Sequence, residues 1–292
     1  MSNSFSQSTA PALPLGKPAG QSTAAEFRQE TLALTRRLFI QLGRRPSTFL
    51  AGIIQPLMWL VLFGALFANV PRGTFGIEGD YIQFLAAGVI IFTAFGGALN
   101  AGVPLIFDRE FGFLNRLLVA PLVSRFSIVL ASTIFIFSLS LVQTAVILLT
   151  SFWMGANFAA GPEGLLVVAL VVGLLVLGFA ALSLGLAFAM PGHVELLAFI
   201  LLVNLPLIFA STALAPLSFM PTWLQVVASL NPLTHAIEPI RFLYTHAEWS
   251  FLSPVLQAPW GSLNLTGCLA ALVVFDALVI GLVGVVLKKK LS

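Results

Sequence analysis

From residue 48 onward, apolar side chains run through the chain in six long stretches: about Thr48 to Ala68, Ile82 to Phe107, Phe126 to Phe152, Leu165 to Met190, Leu196 to Leu214 and Ser262 to Leu287. A bilayer core about 30 Å thick takes roughly 20 apolar residues per helix, so each stretch is predicted to span a membrane. Ahead of them, Glu26 to Arg45 (EFRQETLALTRRLFIQLGRR) sets Phe27, Leu34 and Leu38 at helical spacing among Arg28, Arg36, Arg37, Arg44 and Arg45. That pattern fits an amphipathic helix lying in the interface, and equally a basic flank that sets topology. Residues 1–25, dominated by Ser, Ala, Pro, Gly and Gln, are too polar to pack and are predicted to form a disordered tail. Between the fifth and sixth stretches, Ala215 to Gly261 is interrupted by Pro216, Pro221, Pro232, Pro239 and Pro254. Short re-entrant helices in the outer leaflet fit it better than spans, because backbone at membrane depth must be hydrogen-bonded or shielded by protein.

Composition agrees: 59% of residues are hydrophobic, 9% are charged and the mean hydropathy is +1.02. A soluble domain carries about 25% charged residues. The chain is therefore expected to be all-α and integral to the membrane, with one membrane domain over residues 26–292. Of its 14 Lys and Arg residues, all but Arg72 and Arg241 lie near the termini or between the second and third stretches. Positively charged loops stay in the cytoplasm, so six spans with both termini cytoplasmic are predicted, in a plasma or bacterial inner membrane. The pI of about 9.4 then reflects basic loops rather than a nucleic-acid surface. A single cysteine, Cys268, excludes a disulfide within the chain and a cysteine metal cluster. His193, His235 and His246 are expected in loops, with no metal site among them. A phosphate loop needs Gly-Lys followed by Ser or Thr, and the one Gly-Lys pair, Gly16 and Lys17, precedes Pro18. ATP hydrolysis is therefore not expected of this chain, nor any cofactor in it.

The stretch FDREFGFLNRLLVAPLVSRF, Phe107 to Phe126, places two acids and three arginines between two apolar runs. As a helix over Arg109 to Val119 it would set Arg109 and Arg116 on one face and Phe111, Leu114 and Leu118 on the other. Gly112 would admit another backbone closely, and Pro121 would stop the helix before the third span. Such a helix could present charge to a soluble partner. The charges could equally serve only to keep a tight loop in the cytoplasm.

This run resembles the cytoplasmic motif of type 2 ABC exporter permeases, of the drug-resistance and polysaccharide export kind. The matching positions are Asp108, Arg109, Glu110, Gly112, Leu114, Leu117, Leu118, Pro121, Ser124 and Arg125, with departures at Phe113 and Asn115. A second stretch, NPLTHAIEPIRFLY from Asn231 to Tyr244, is similar to the segment that precedes the family's last span. The resemblance implies a pair of permeases, here a homodimer, working with a separate ATP-binding subunit that holds ATP and Mg. It also implies that Asp108, Arg109, Glu110, Gly112 and Arg116, with Arg36 and Arg37 of the N-terminal helix, form the coupling element seated on that subunit. Asn115 stands where the family has an acid.

Polar residues within spans are costly in lipid and mark candidate translocation groups. Here they are Asn100, Gln143, Asn204 and Asp276. Each amide serves equally well as an interhelical hydrogen bond. Asp276 also supports a rival, a proton-coupled secondary transporter. On the first reading, export of a hydrophobic, drug-like or lipid substrate is expected, with polysaccharide or lipid-linked glycan as the alternative cargo.

Overall fold

The structure, a computed structural model, describes residues 24–69, 80–112 and 126–291. The expected tail up to residue 23 and the coupling residue Arg116 lie outside the described residues, as do Asn115, Pro121 and Arg125.

Helices α1 (Ala24–Gly43) and α2 (Pro46–Leu66) follow one another, and α3 (Tyr81–Leu99) continues after a short break into α4 (Val103–Glu110). Next come α5 (Phe126–Trp153), α6 (Gly161–Ala189) and α7 (His193–Phe209). A single 3-10 turn at Leu217–Phe219 leads to α8 (Thr222–Leu230) and α9 (Pro232–Thr245). A hairpin of β1 (Pro254–Ala258) and β2 (Gly261–Asn264) then feeds α10 (Leu265–Leu291). Among the described residues five helical stretches are long and apolar enough to cross a membrane. α7, in the place of the fifth expected span, is apolar but 17 residues long.

The hairpin is a small addition to a mostly helical chain that the all-α expectation did not include. Ala258 pairs with Gly261 across the two-residue turn Pro259–Trp260, and Gln257 with Ser262. Pro254, one of the prolines that argued against a span, is the first residue of β1, a strand position proline tolerates, and Pro259 suits the turn. The last helix accordingly begins at Leu265 rather than Ser262.

The centre of the bundle is α3 with α6. Of their apolar windows 67% (counting α4 with α3) and 56% are buried, against 17% for α2 and 22% for α5 and α10, which turn most of their surface outward. Small residues permit this: Ala86, Ala87, Ala94 and Ala98 on α3 are all buried, and helices without bulky side chains between them approach closely. Phe179 of α6 meets Phe95 of α3 edge-on at 4.7 Å and Phe275 of α10 at 4.9 Å, so one ring links three helices. α10 lies along α6 where glycines leave room: a Cβ on Gly178 would strike the Asp276 carboxylate and the Phe275 ring, and one on Gly185 would strike Val283.

α1 docks on α5 by the expected face, where Thr31 and Thr35 lie among Phe27, Leu34 and Leu38. Its buried residues are Thr31 and Thr35. Their hydroxyls donate to the carbonyls of Phe27 and Thr31 at 2.9 and 2.8 Å, which leaves the methyl groups free to pack. Ser127 of α5 donates to Glu30 at 3.0 Å, and Phe39 meets Phe135 edge-on. Leu34 packs against the core, while Leu32, Phe39 and Ile40 are exposed.

The closeness of α6 and α10 is testable. Overpacking a tight contact costs roughly 1–3 kcal/mol. Gly178→Val is expected to lower the thermal unfolding temperature of the purified protein in detergent. Gly281→Val, at a glycine with open space around it, is expected to leave that temperature nearly unchanged.

Candidate functional site

Three consecutive residues at the end of α4 each reach a different element. Asp108 meets Arg37 of α1, with 3.4 Å between Nη2 and Oδ2. Arg109 spreads its guanidinium over the end of α6: Nη1 donates to the carbonyls of Ala187 and Phe188 at 2.9 and 3.3 Å, and Nη2 to those of Met190 and Pro191 at 2.6 and 2.9 Å. Glu110 turns to α7, where Oε1 accepts the His193 backbone N–H at 2.6 Å and Oε2 lies 2.5 Å from His193 Nδ1.

The arrangement follows from helix electrostatics. The last carbonyls of a helix and the first amides of the next have no intrahelical partner, and they carry partial negative and positive charge respectively. Arg109 supplies a cation at the first and Glu110 an anion at the second, so adjacent residues of one motif satisfy both ends of the α6–α7 connection. Phe107, one turn back, stacks against the His193 ring at 4.8 Å.

This geometry changes the expected picture of the motif. Asp108 to Glu110 are the last turn of α4; the expected helix toward Val119 lies, beyond Gly112, outside the described residues. α4 ends because Phe111 caps it and Gly112 adopts φ of +74°, a left-handed conformation that favours glycine. Among the described residues nothing lies within 4 Å of a Cβ on Gly112, so the support for glycine seen here is its backbone conformation. Arg37 joins the cluster, while Arg36 points outward and is exposed. His193, expected in a loop, opens α7, and His235, likewise expected in a loop, is buried within α9.

The four polar candidates within the spans are not brought together. Asn100 caps its own helix, donating to Gly96 O at 2.8 Å, and borders a cavity of about 120 Å³ shared with Arg37, Gln41, Asp108 and Ser132. Gln143 of α5 is buried and donates to Gly52 O of α2 at 2.9 Å, an interhelical bond. Asn204 lies on α7 with its carbonyl oxygen buried and without a hydrogen bond among the described residues. Asp276, 4% exposed, faces Gly178 of α6, and neither carboxyl oxygen has a hydrogen-bond partner among the described residues.

At the opposite end of the bundle, α9 forms a second polar cluster. Asn231 caps α9 by accepting from Leu233 N–H at 2.9 Å and donates to the α7 carbonyl of Leu207 and to Ala210 O at 2.7 and 2.6 Å. Arg241 pairs with Glu238 at 2.5 Å, donates to Thr212 O at 2.7 Å and lies over the Phe84 ring at 3.7 Å. Burial lowers the guanidinium from its ordinary pKa, and the Glu238 carboxylate pulls the other way. Tyr244 bonds Ser151 at 3.0 Å, and burial pushes its hydroxyl up to about 12. A cavity of about 770 Å³ opens beside Glu238 and Arg241, with Gln225, Glu248 and Gln257 on its wall. The Asn-Pro and Glu-x-x-Arg spacing of this segment was visible in the sequence; its long-range partners were not.

Apolar helices held at one end by a charged knot describe a multi-pass membrane protein. The profile of the ABC-2 type transporter family matches residues 29–244, and the chain belongs to that family. It is 52% identical over 267 residues to the transport permease ycf38 of Porphyra purpurea, covering 91% of each chain. It is 29% identical over 236 residues to the doxorubicin resistance permease DrrC of Mycobacterium tuberculosis, 78% of this chain and 81% of that one. The daunorubicin resistance permease DrrB1 of Streptomyces coeruleorubidus is 26% identical over 244 residues, 79% of each.

The charged knot divides into strong and weak parts. Hydrogen bonds from a charged group contribute roughly 1.5–3 kcal/mol when buried and less when half exposed. Arg109→Ala and Arg109→Lys are both expected to lower the unfolding temperature and to speed proteolytic cleavage in the 189–192 turn, because an ammonium cannot span the four carbonyls. Asp108→Asn breaks a pair whose side chains are 34% and 39% exposed, and is expected to shift neither.

Proposed function

We propose that this chain is the membrane half of an ATP-driven exporter, working as a homodimer with a separate subunit that binds ATP and Mg. The observation that carries the proposal is the triple attachment of Asp108, Arg109 and Glu110. Anything that displaces the end of α4 acts at once on α1, α6 and α7, as a coupling element requires. In this reading residues 113–125 and α1 face the ATP-binding subunit, and Arg36, exposed, and Arg116 contribute charge to that contact. α7 serves as the fifth of six spans, α8 and α9 are re-entrant from the outer face, and both termini lie in the cytoplasm of a plasma or inner membrane.

A second copy is proposed across the outward faces of α2 and α7, which carry Leu50, Ile54, Met58, Trp59, Leu201 and Leu205. A hydrophobic, drug-like or lipid substrate is favoured over polysaccharide by the names of DrrC and DrrB1, which concern doxorubicin and daunorubicin. Asp276 supports the second reading, a proton-coupled transporter, because a carboxyl buried in a span, here without a hydrogen-bond partner among the described residues, is a rare and costly feature.

The test is affinity purification of the tagged protein from native membranes in mild detergent, with mass spectrometry and an ATPase assay of the eluate. The expected result is a stoichiometric soluble subunit carrying a Gly-Lys-Ser/Thr phosphate loop, with ATP hydrolysis in the eluate. Recovery of the chain alone, under conditions that keep a known ABC complex together, would overturn the reading and direct attention to proton dependence of transport in Asp276→Asn.

A further inference from the structure

The 30-residue apolar stretch from Tyr81 to Glu110 is not one continuous helix. α3 stops at Leu99 and α4 starts at Val103, with Pro104 in its first turn. Proline has no N–H to donate, and it disfavours helical backbone at the residue before it, so the ladder fails just ahead of it. Short-range bonds absorb part of the loss: Ala101 N–H reaches Ala98 O at 3.1 Å and Val103 N–H reaches Asn100 O at 3.1 Å. The Leu99 carbonyl and the Gly102 N–H go instead to one side chain of another helix. Ser183 of α6, fully buried, donates its hydroxyl to Leu99 O at 2.5 Å and accepts from Gly102 N–H at 2.9 Å. A Cβ at position 102 would collide with the Ser183 carbonyl, so glycine is what lets α6 come this close.

α4 is thus fastened to α6 twice, at Gly102 by Ser183 and at Arg109 by the four carbonyls that end α6. The two anchors are seven positions apart, about 10 Å at 1.5 Å per residue. A rod held at one point can swing, whereas one held at two points keeps its direction. Its link to α3, by contrast, lacks a continuous hydrogen-bond ladder.

We infer that Ser183 is a positioning residue of the transport cycle, making α4 move as part of α6 rather than as the end of α3. A displacement delivered at Asp108 to Glu110 then enters the bundle through α6, and passes to α10 along the close contacts at Gly178 and Gly185. The source of the displacement rests on the proposed function; the anchoring does not.

The experiment has two arms. In the first, the full chain in lipid nanodiscs is followed by hydrogen–deuterium exchange over Leu99 to Phe107. Losing a buried hydroxyl that serves two backbone groups is expected to speed exchange there by about tenfold in Ser183→Ala. Ser183→Thr keeps the hydroxyl and is expected to stay near wild type. Ser151→Ala, which removes the buried hydroxyl bonded to Tyr244 at the other end, controls for lost stability and is expected to leave this segment unchanged. If Ser183→Ala does not fold, Ser183→Cys, which nearly keeps the volume but offers only a weak donor and acceptor, is read in its place. Exchange at the wild-type rate would overturn the anchor.

In the second arm the chain is assembled with its ATP-binding subunit. ATP hydrolysis is expected to fall toward that of the isolated subunit in Ser183→Ala, but not in Ser183→Thr or Ser151→Ala. Fast exchange with wild-type hydrolysis would overturn the role in the cycle. Failure of any ATP-binding subunit to assemble would overturn the proposed function, with the first arm still deciding the anchor.

Discussion

Within hydrocarbon every backbone amide and carbonyl has to find its partner inside the protein, and the ends and breaks of helices are where that requirement is hardest to meet. In this chain it is met by a few side chains sent across the bundle. Arg109 takes the carbonyls that end α6, Glu110 takes the amide that opens α7, and Ser183 takes the two groups left over at the α3–α4 break. Asn231 and Arg241 do the same at the opposite end for the carbonyls that follow α7. The helices supply the apolar bulk; these side chains decide how the helices sit relative to one another.

The same economy explains why charge concentrates where it does. A charged motif could have stood free of the bundle to meet a partner. Instead its three leading residues are engaged within the chain, so their charges are answered locally and their displacement is felt by three elements. At the other end Arg241 and Glu238 are only 12% and 14% exposed, with the guanidinium stacked on Phe84. A pair so deeply placed is strongly disrupted by removing one partner, since the other is left uncompensated. Two polar clusters at opposite ends, joined by the closely packed α3, α6 and α10, give the bundle rigid fastenings at both faces and an apolar middle.

Much of this was legible beforehand. The apolar runs foretold α2, α3 taken together with α4, α5, α6 and α10 to within a few residues, though not the break after Leu99, because a span's length and hydrophobicity are set by the bilayer rather than by neighbouring helices. The proline-rich segment before α10 was readable as irregular, though its pairing into a hairpin was not, since pairing needs the turn at Pro259–Trp260 to bring two strands together. The periodicity of α1 marked its docking face at Phe27, Leu34 and Leu38, but not that Thr31 and Thr35 on that same face would be its most buried residues, since their hydroxyls are satisfied on their own helix.

The sequence by itself determined that this is a helical membrane protein, where most of its helices lie and which family motif its charges form. Those properties depend on composition, spacing and residue order along one chain. Only the tertiary structure decided that the motif closes the ends of two other helices, that Gln143 joins α5 to α2, and that Asp276 fits against Gly178. It also decided that Ser183, one buried serine among many, holds the break in α3–α4. The physical reason is that a hydroxyl, amide or carboxyl advertises what it can bond to, while the partner that needs it is chosen by how helices far apart in sequence come to lie side by side.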